Sequence, residues 1–171
     1  LILLRIASLI SLRESAESGG ISEIDEITGL YNRQAFFSRA DKIIKENPNW
    51  SFILTISELD GIKLLNEKNG KTAGDDLLKS VGDFLRNAPE QCLLAGRFAG
   101  DQFVTLFRKD EKFSPEFLEA SIQNSNQIIA QDCGVENLRV RFAVYEDIDH
   151  DISVMELCDR TLLALQKIRG K

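Results

Sequence analysis

Three carboxylates stand where a fold could bring them together. Glu58 and Asp60 close an apolar run whose centre is Phe52-Ile53-Leu54, and Asp101 sits in the turn Ala99-Gly100-Asp101 between two further apolar runs. Carboxylates that meet repel each other, and a cation must offset that repulsion. Two-metal phosphoryl-transfer sites are built from such clusters. Other familiar chemistries are poorly supplied. His150 is the only histidine, which leaves nothing for a His-based triad or a multi-histidine metal site. Cys92, Cys133 and Cys158 lie far apart with no Cys-x-x-Cys pair, which argues against zinc. Their odd number argues for a reducing compartment. The 171 residues carry a formal charge of −6, and no basic run replaces the counterions of duplex nucleic acid, so no nucleic-acid partner is expected. With 43% hydrophobic and 28% charged residues the chain reads as soluble and globular, long enough for one sizeable core.

The carboxylates can meet only if the elements around them are ordered in a particular way. Asn32 can cap a helix running to about Lys45, with Phe36, Ala40, Ile43 and Ile44 inward. Trp50 to Leu59 reads as a strand, continuously apolar at its centre as a strand covered on both faces should be. A short helix from Asp60 ends near Asn69-Gly70, and a second begins near Ala73-Gly74-Asp75 with Leu77, Leu78, Val81, Phe84 and Leu85 on one stripe. Cys92 to Phe98 and Gln102 to Phe107 read as a hairpin across Gly100-Asp101. Pro115 to Gln131 is a helix, Leu138 to Tyr145 a strand, and Ser153 to Ile168 the cleanest helical pattern. The order β-α-α-β-β-α-β-α is an α+β, ferredoxin-like or split βαβ plan, in which a central antiparallel sheet is flanked by helices and the hairpin lies beside the first strand. His150 lies in an acidic loop and reads as solvated.

The chain begins at Leu1 and holds its sole methionine at Met155, so it reads as a piece of a longer protein. Residues 1–12 are apolar apart from Arg5, Ser8 and Ser11, too short to span a bilayer that needs roughly 20 apolar residues. They fit the tail of a membrane helix, a helical seam pairing with a second copy, or a helix packed on its own domain. The division expected is an N-terminal signalling helix over 1–17, a linker over 18–24 containing Ser18-Gly19-Gly20, and one domain over 25–171.

Together these motifs resemble a known family. Asp25-Glu26-Ile27-Thr28-Gly29-Leu30-Tyr31-Asn32-Arg33 is similar to the D-x-L-T-G-L-x-N-R opening of bacterial GGDEF domains, the diguanylate cyclases. Glu58-Leu59-Asp60-Gly61-Ile62-Lys63, then Asn66-Glu67, Gly70 and Gly74-Asp75, fall at that family's spacing for D-x-D-x-F-K, N-D, G-H and G-D. Arg97-Phe98-Ala99-Gly100-Asp101-Gln102-Phe103 stands where R-Y-G-G-D-E-F belongs. The resemblance implies a nucleotide-cyclase palm in which two GTP molecules, one on each subunit of a homodimer, condense to cyclic di-GMP. It implies Mg²⁺ or Mn²⁺ held by Glu58 and Asp101, with the Leu59 carbonyl as a further ligand. Asn66 and Asp75 would read the guanine edge, and the amides of Gly61, Ile62 and Lys63 at a helix N-terminus would hold phosphate. It further implies a bacterial cytoplasmic setting, at the inner face of the inner membrane if a preceding segment anchors the chain, with a sensor or phosphodiesterase domain as neighbour.

Several positions depart from that pattern. Gln102 replaces the signature glutamate, and an amide neither carries charge nor accepts a proton as a carboxylate does. Glu58 replaces aspartate, Ala99 the first glycine, Lys71 the G-H histidine, and Arg141-Phe142-Ala143 the small S-x-G of the last strand. Basic residues near the end, in Gln166-Lys167-Ile168-Arg169-Gly170-Lys171, are displaced by about one position. The product-inhibition motif R-x-x-D falls on Glu90 and Leu93 and is absent. Three readings are open: a degenerate domain that keeps some guanine-nucleotide binding and acts as a regulatory or dimerising module, an active cyclase with an altered signature, and a purely structural interaction domain. Gln102 disfavours the second, and the retained Asn66 and Asp75 favour the first over the third.

Overall fold

The computed structural model describes residues 22–88, 90–110, 113–135 and 138–169. The expected signalling helix over 1–17 lies outside the described residues. α1 (Arg33–Glu46) starts where the Asn32 side chain accepts a hydrogen bond from the Ala35 amide at 2.9 Å. β1 (Ser51–Asp60) is buried without interruption from Phe52 to Ile56. α2 (Ile62–Asn69) and α3 (Thr72–Arg86) lead to the hairpin of β2 (Cys92–Ala99) and β3 (Gln102–Lys109). α4 (Pro115–Asp132), β4 (Arg139–Tyr145) and α5 (Val154–Arg169) complete the chain. Every element falls within about two residues of its sequence-based bounds.

The four strands form one sheet in the order β2-β3-β1-β4, each neighbouring pair antiparallel. The hairpin therefore lies beside β1, as the split βαβ plan requires. Side chains of a strand alternate between faces, and two layers of helix cover β1 accordingly. Phe52, Leu54 and Ile56 join Phe36 and Ala40 of α1 and Leu157, Cys158 and Leu165 of α5 in the larger core. Leu59 and Phe103 join Leu77, Leu78 and Val81 of α3 on the other face. Phe36, Phe52 and Phe103 are almost wholly buried, and each contributes about 2–3 kcal/mol of apolar burial.

His150 corrects an expectation. It is half-buried rather than solvated, its Nε2 lies 3.1 Å from the Trp50 carbonyl, and its ring centroid is 5.6 Å from that of Phe52. The loop before α5 folds back onto the start of β1, so an acidic neighbourhood in sequence is an aromatic one in space. No helix among the described residues is long and apolar enough to cross a membrane.

Candidate functional site

The opening motif builds a brace. Asp25 accepts hydrogen bonds from the Thr28 amide at 2.9 Å and the Thr28 hydroxyl at 2.8 Å, which folds the loop on itself. Both Asp25 oxygens also lie 3.1 Å from Arg97 Nη1. The same guanidinium donates twice to the Gly100 carbonyl, from Nε at 3.0 Å and Nη2 at 2.8 Å. One arginine thus ties the loop before α1 to the turn that carries Asp101. Burial raises the Asp25 pKa, but the Thr28 bonds and Arg97 outweigh it and hold the carboxyl below its ordinary value of 3.8. The turn is tied a second time, because the Leu59 amide donates to the Asp101 carbonyl at 3.1 Å. The end of β1 and the hairpin tip are therefore held side by side.

Sheet register then decides what meets Glu58. Its partner on β3 is Gln102 and its partner on β4 is Arg141. Cross-strand partners share a face, so the three side chains stand in one row. The next row inward is Val104, Ile56 and Ala143, all buried in the core. Glu58 is itself buried, its side chain 2% exposed. Gln102 Nε2 donates to its Oε2 at 2.8 Å, and Arg141 Nη2 donates to its Oε1 at 2.8 Å. Arg141 Nη1 lies 3.5 Å from Asp60 Oδ2. A buried carboxylate persists only when paired and hydrogen-bonded, and Arg141 with Gln102 meets both conditions.

The other half of the site is formed by α2 and α3. Gly61 precedes α2 with φ +91°, a conformation glycine adopts without strain, and leaves the amides at the helix start without intrahelical partners. Asn66 Oδ1 accepts from the Gly74 amide at 2.7 Å, which leaves its side-chain NH2 group as the donor end. The helices touch so closely here that a Cβ on Gly74 would lie 2.8 Å from both Asn66 Oδ1 and Ile62 Cγ2. A cleft of about 680 Å³ runs past Lys63, Asn66, Lys71, Arg97 and Asp101, within the size range of small-ligand sites. An adjoining cleft of about 480 Å³ is lined by Glu58, Asp60, Gly61, Lys63, Asp101 and Arg141. Asp75 stands apart: it is exposed on the first turn of α3 and is not among the residues lining either cleft.

The expected site residues are thus brought together with one exception. Glu58, Leu59, Gly61, Ile62, Lys63 and Asp101 border one cleft, Asn66 joins them through α2, and Asp75 lies on the flank. The residues do not fit a divalent metal. Both Glu58 oxygens are engaged by protein donors, Asp60 faces a guanidinium, and no group of three or more potential ligands gathers among the described residues. Sequence reasoning missed Arg141, which it took only as a large residue in place of a small one. The signal was a positive charge on the strand expected beside β1. Glu90 is exposed, and Leu93 packs against the larger core.

Known proteins share the sequence family and the fold. The model of "Diguanylate cyclase, GGDEF domain" matches residues 22–167. The diguanylate cyclase DgcP of Escherichia coli (strain K12) is 30% identical over 104 residues, 60% of this chain and 30% of that protein. The diguanylate cyclase VdcA of Vibrio cholerae is 25% identical over 132 residues, 74% of this chain and 38% of that protein. The chain thus spans well under two thirds of these curated relatives. A sensory box/GGDEF family protein from Caulobacter crescentus superposes with a TM-score of 0.72 at 23% identity, over 86% of this chain and 98% of the other. The coiled coil and GGDEF domain of DgcB from the same organism, in complex with c-di-GMP, gives 0.71 at 20% identity, over 99% and 93%. These likenesses share the four-stranded antiparallel sheet and its helices. The chain belongs to the GGDEF, diguanylate cyclase family of cyclic di-GMP signalling.

Proposed function

We propose that this domain is a degenerate member of its family, one that keeps weak guanine-nucleotide recognition, has little or no cyclase activity, and serves as a regulatory or dimerising module in a longer chain. One observation carries the reading: the Glu58 carboxylate is closed off by Arg141 and Gln102. A cyclase site needs its carboxylates for metal, and metal to neutralise phosphate and activate the attacking hydroxyl. Nucleotide recognition draws on other groups. Asn66 presents a donor to guanine O6, Asp75 accepts from guanine N1 and N2, and the α2 amides with Lys63 take phosphate. Residues 1–17 pair with their copy in a second chain.

A second reading, a purely structural domain, is favoured by the position of Asp75 away from the clefts. Calorimetry with GTP separates the two. The nucleotide reading expects measurable binding that falls about tenfold in Asp75→Ala and in Asn66→Ala, each substitution removing one or two hydrogen bonds. No binding at millimolar GTP would favour the structural domain. Light scattering with and without residues 1–17 tests the pairing, and equal monomeric masses would remove it.

A further inference from the structure

The strand-end row that closes off Glu58 also brings positive charge into the pocket. We propose that the Arg141 guanidinium is a resident counter-cation standing in for divalent metal at Glu58, so that this pocket stays metal-free and takes nucleotide phosphate without metal. The phosphate half deepens the guanine-nucleotide reading and rests on it, whereas the metal half stands alone.

Three observations converge on it. One guanidinium spans both carboxylates that end β1, with Nη2 2.8 Å from Glu58 Oε1 and Nη1 3.5 Å from Asp60 Oδ2. A planar fork of donors that keeps its proton suits that task. The second Glu58 oxygen is held by Gln102 Nε2 at 2.8 Å. A glutamate at 102 would offer no donor there and would add a second negative charge to the row. Gln102 and Arg141 are therefore matched to each other: amide and guanidinium around one carboxylate, where metal chemistry would use two carboxylates and a cation. Finally, Glu58 is buried, with its side chain 2% exposed. A metal could reach it only by displacing Arg141, and both cations cannot share the site.

The consequence for ligands comes from the lining. Arg141 and Lys63 border one cleft together with the first amides of α2. A phosphate entering it meets Lys63, Arg141 and helix-start N–H groups that have no intrahelical acceptor, the combination that binds anions there, against the opposing carboxylates of Glu67 and Asp101 in the same lining. Phosphate binding there needs no metal at the two strand-end carboxylates, because Arg141 already pairs with Glu58 and Asp60.

The test uses the whole chain. Free Mn²⁺, followed by its paramagnetic resonance signal, should show no Glu58-dependent site in the parent below millimolar metal. The double change Arg141→Ser with Gln102→Glu should gain one, and its melting temperature should rise with Mn²⁺ as binding to the native state requires. GTP affinity of the parent should be the same within about twofold in EDTA and in Mg²⁺. A micromolar Mn²⁺ site in the parent that Glu58→Gln abolishes would overturn the proposal, as would a loss of about tenfold or more in GTP affinity in EDTA. Should the double variant fail to fold, the parent's two titrations still decide. Absence of GTP binding in both buffers would end the nucleotide reading and the phosphate half with it, while the Mn²⁺ titration would still judge Arg141 on its own.

Discussion

The two halves of the cleft are built differently. On the α2–α3 side, Asn66 and Gly74 meet at 2.7 Å, and the contact holds two helix ends while using only the oxygen of the Asn66 side chain. On the sheet side, Gln102, Glu58 and Arg141 use their polar atoms on one another. The first arrangement fixes geometry and keeps capacity for a ligand. The second fixes geometry by spending the Glu58 carboxylate, the group a metal would need. A fold needs its strand ends satisfied whether or not they do chemistry, and a buried carboxylate without a metal needs another cation.

Arg141→Ala strikes hardest at the sheet side. It removes the guanidinium from the buried Glu58 carboxylate, and urea denaturation should show a loss of about 3–5 kcal/mol. A loss below about 0.5 kcal/mol, the level of an ordinary surface pair, would mean that the row is not a buried network. Gly74→Ala probes the other half. Its Cβ would meet the side chains of Asn66 and Ile62 at 2.8 Å, so one or both must shift, at about 1–3 kcal/mol. Nucleotide affinity should fall with it, and retained affinity would place recognition elsewhere.

Asp25→Asn has a smaller effect with a pH signature. Burial works against the ionised carboxyl, yet Thr28 and Arg97 hold its pKa below 3.8. A depressed folded pKa gives stability that is present above the unfolded value and lost as pH falls through the folded one. The variant should therefore be less stable by about 1 kcal/mol at neutral pH, and the gap should close as pH falls below 3.8. A gap that persists in acid would show that charge is not what the brace uses. Smallest of all is Glu90→Ala. Glu90 is exposed and would repel a phosphate, so cyclic di-GMP titration should give the same result before and after the change.

Local signals carried most of the fold. The Asn32 cap, the apolar run at Phe52-Ile53-Leu54, the Gly100-Asp101 turn and the stripe ending in Leu85 each have causes within a few residues. They also placed Glu58, Asp101 and Asn66 around two adjoining clefts, since element order and hairpin adjacency follow from them. Arg141 was different. It lies 83 positions from Glu58, and their meeting depends on the register of two strands that no local pattern sets. His150 failed for the same reason, being 100 positions from the Trp50 carbonyl it approaches. Gln102 was read as a missing charge, whereas its gain, a donor aimed at Glu58, exists only once the strands are paired.

If the sheet side has given up catalysis, product formation from GTP and Mg²⁺ reveals it most directly. The proteins to compare are the parent, Gln102→Glu, and Gln102→Glu combined with Arg141→Ser and Glu58→Asp. Cyclic di-GMP should stay at background in the parent and in the single change, because Arg141 still holds the strand-end carboxylates. It should rise about a hundredfold or more in the combined variant, the scale of restoring a metal-proximal charge. A parent rate comparable to that of the Escherichia coli diguanylate cyclase DgcP would contradict the loss of catalysis.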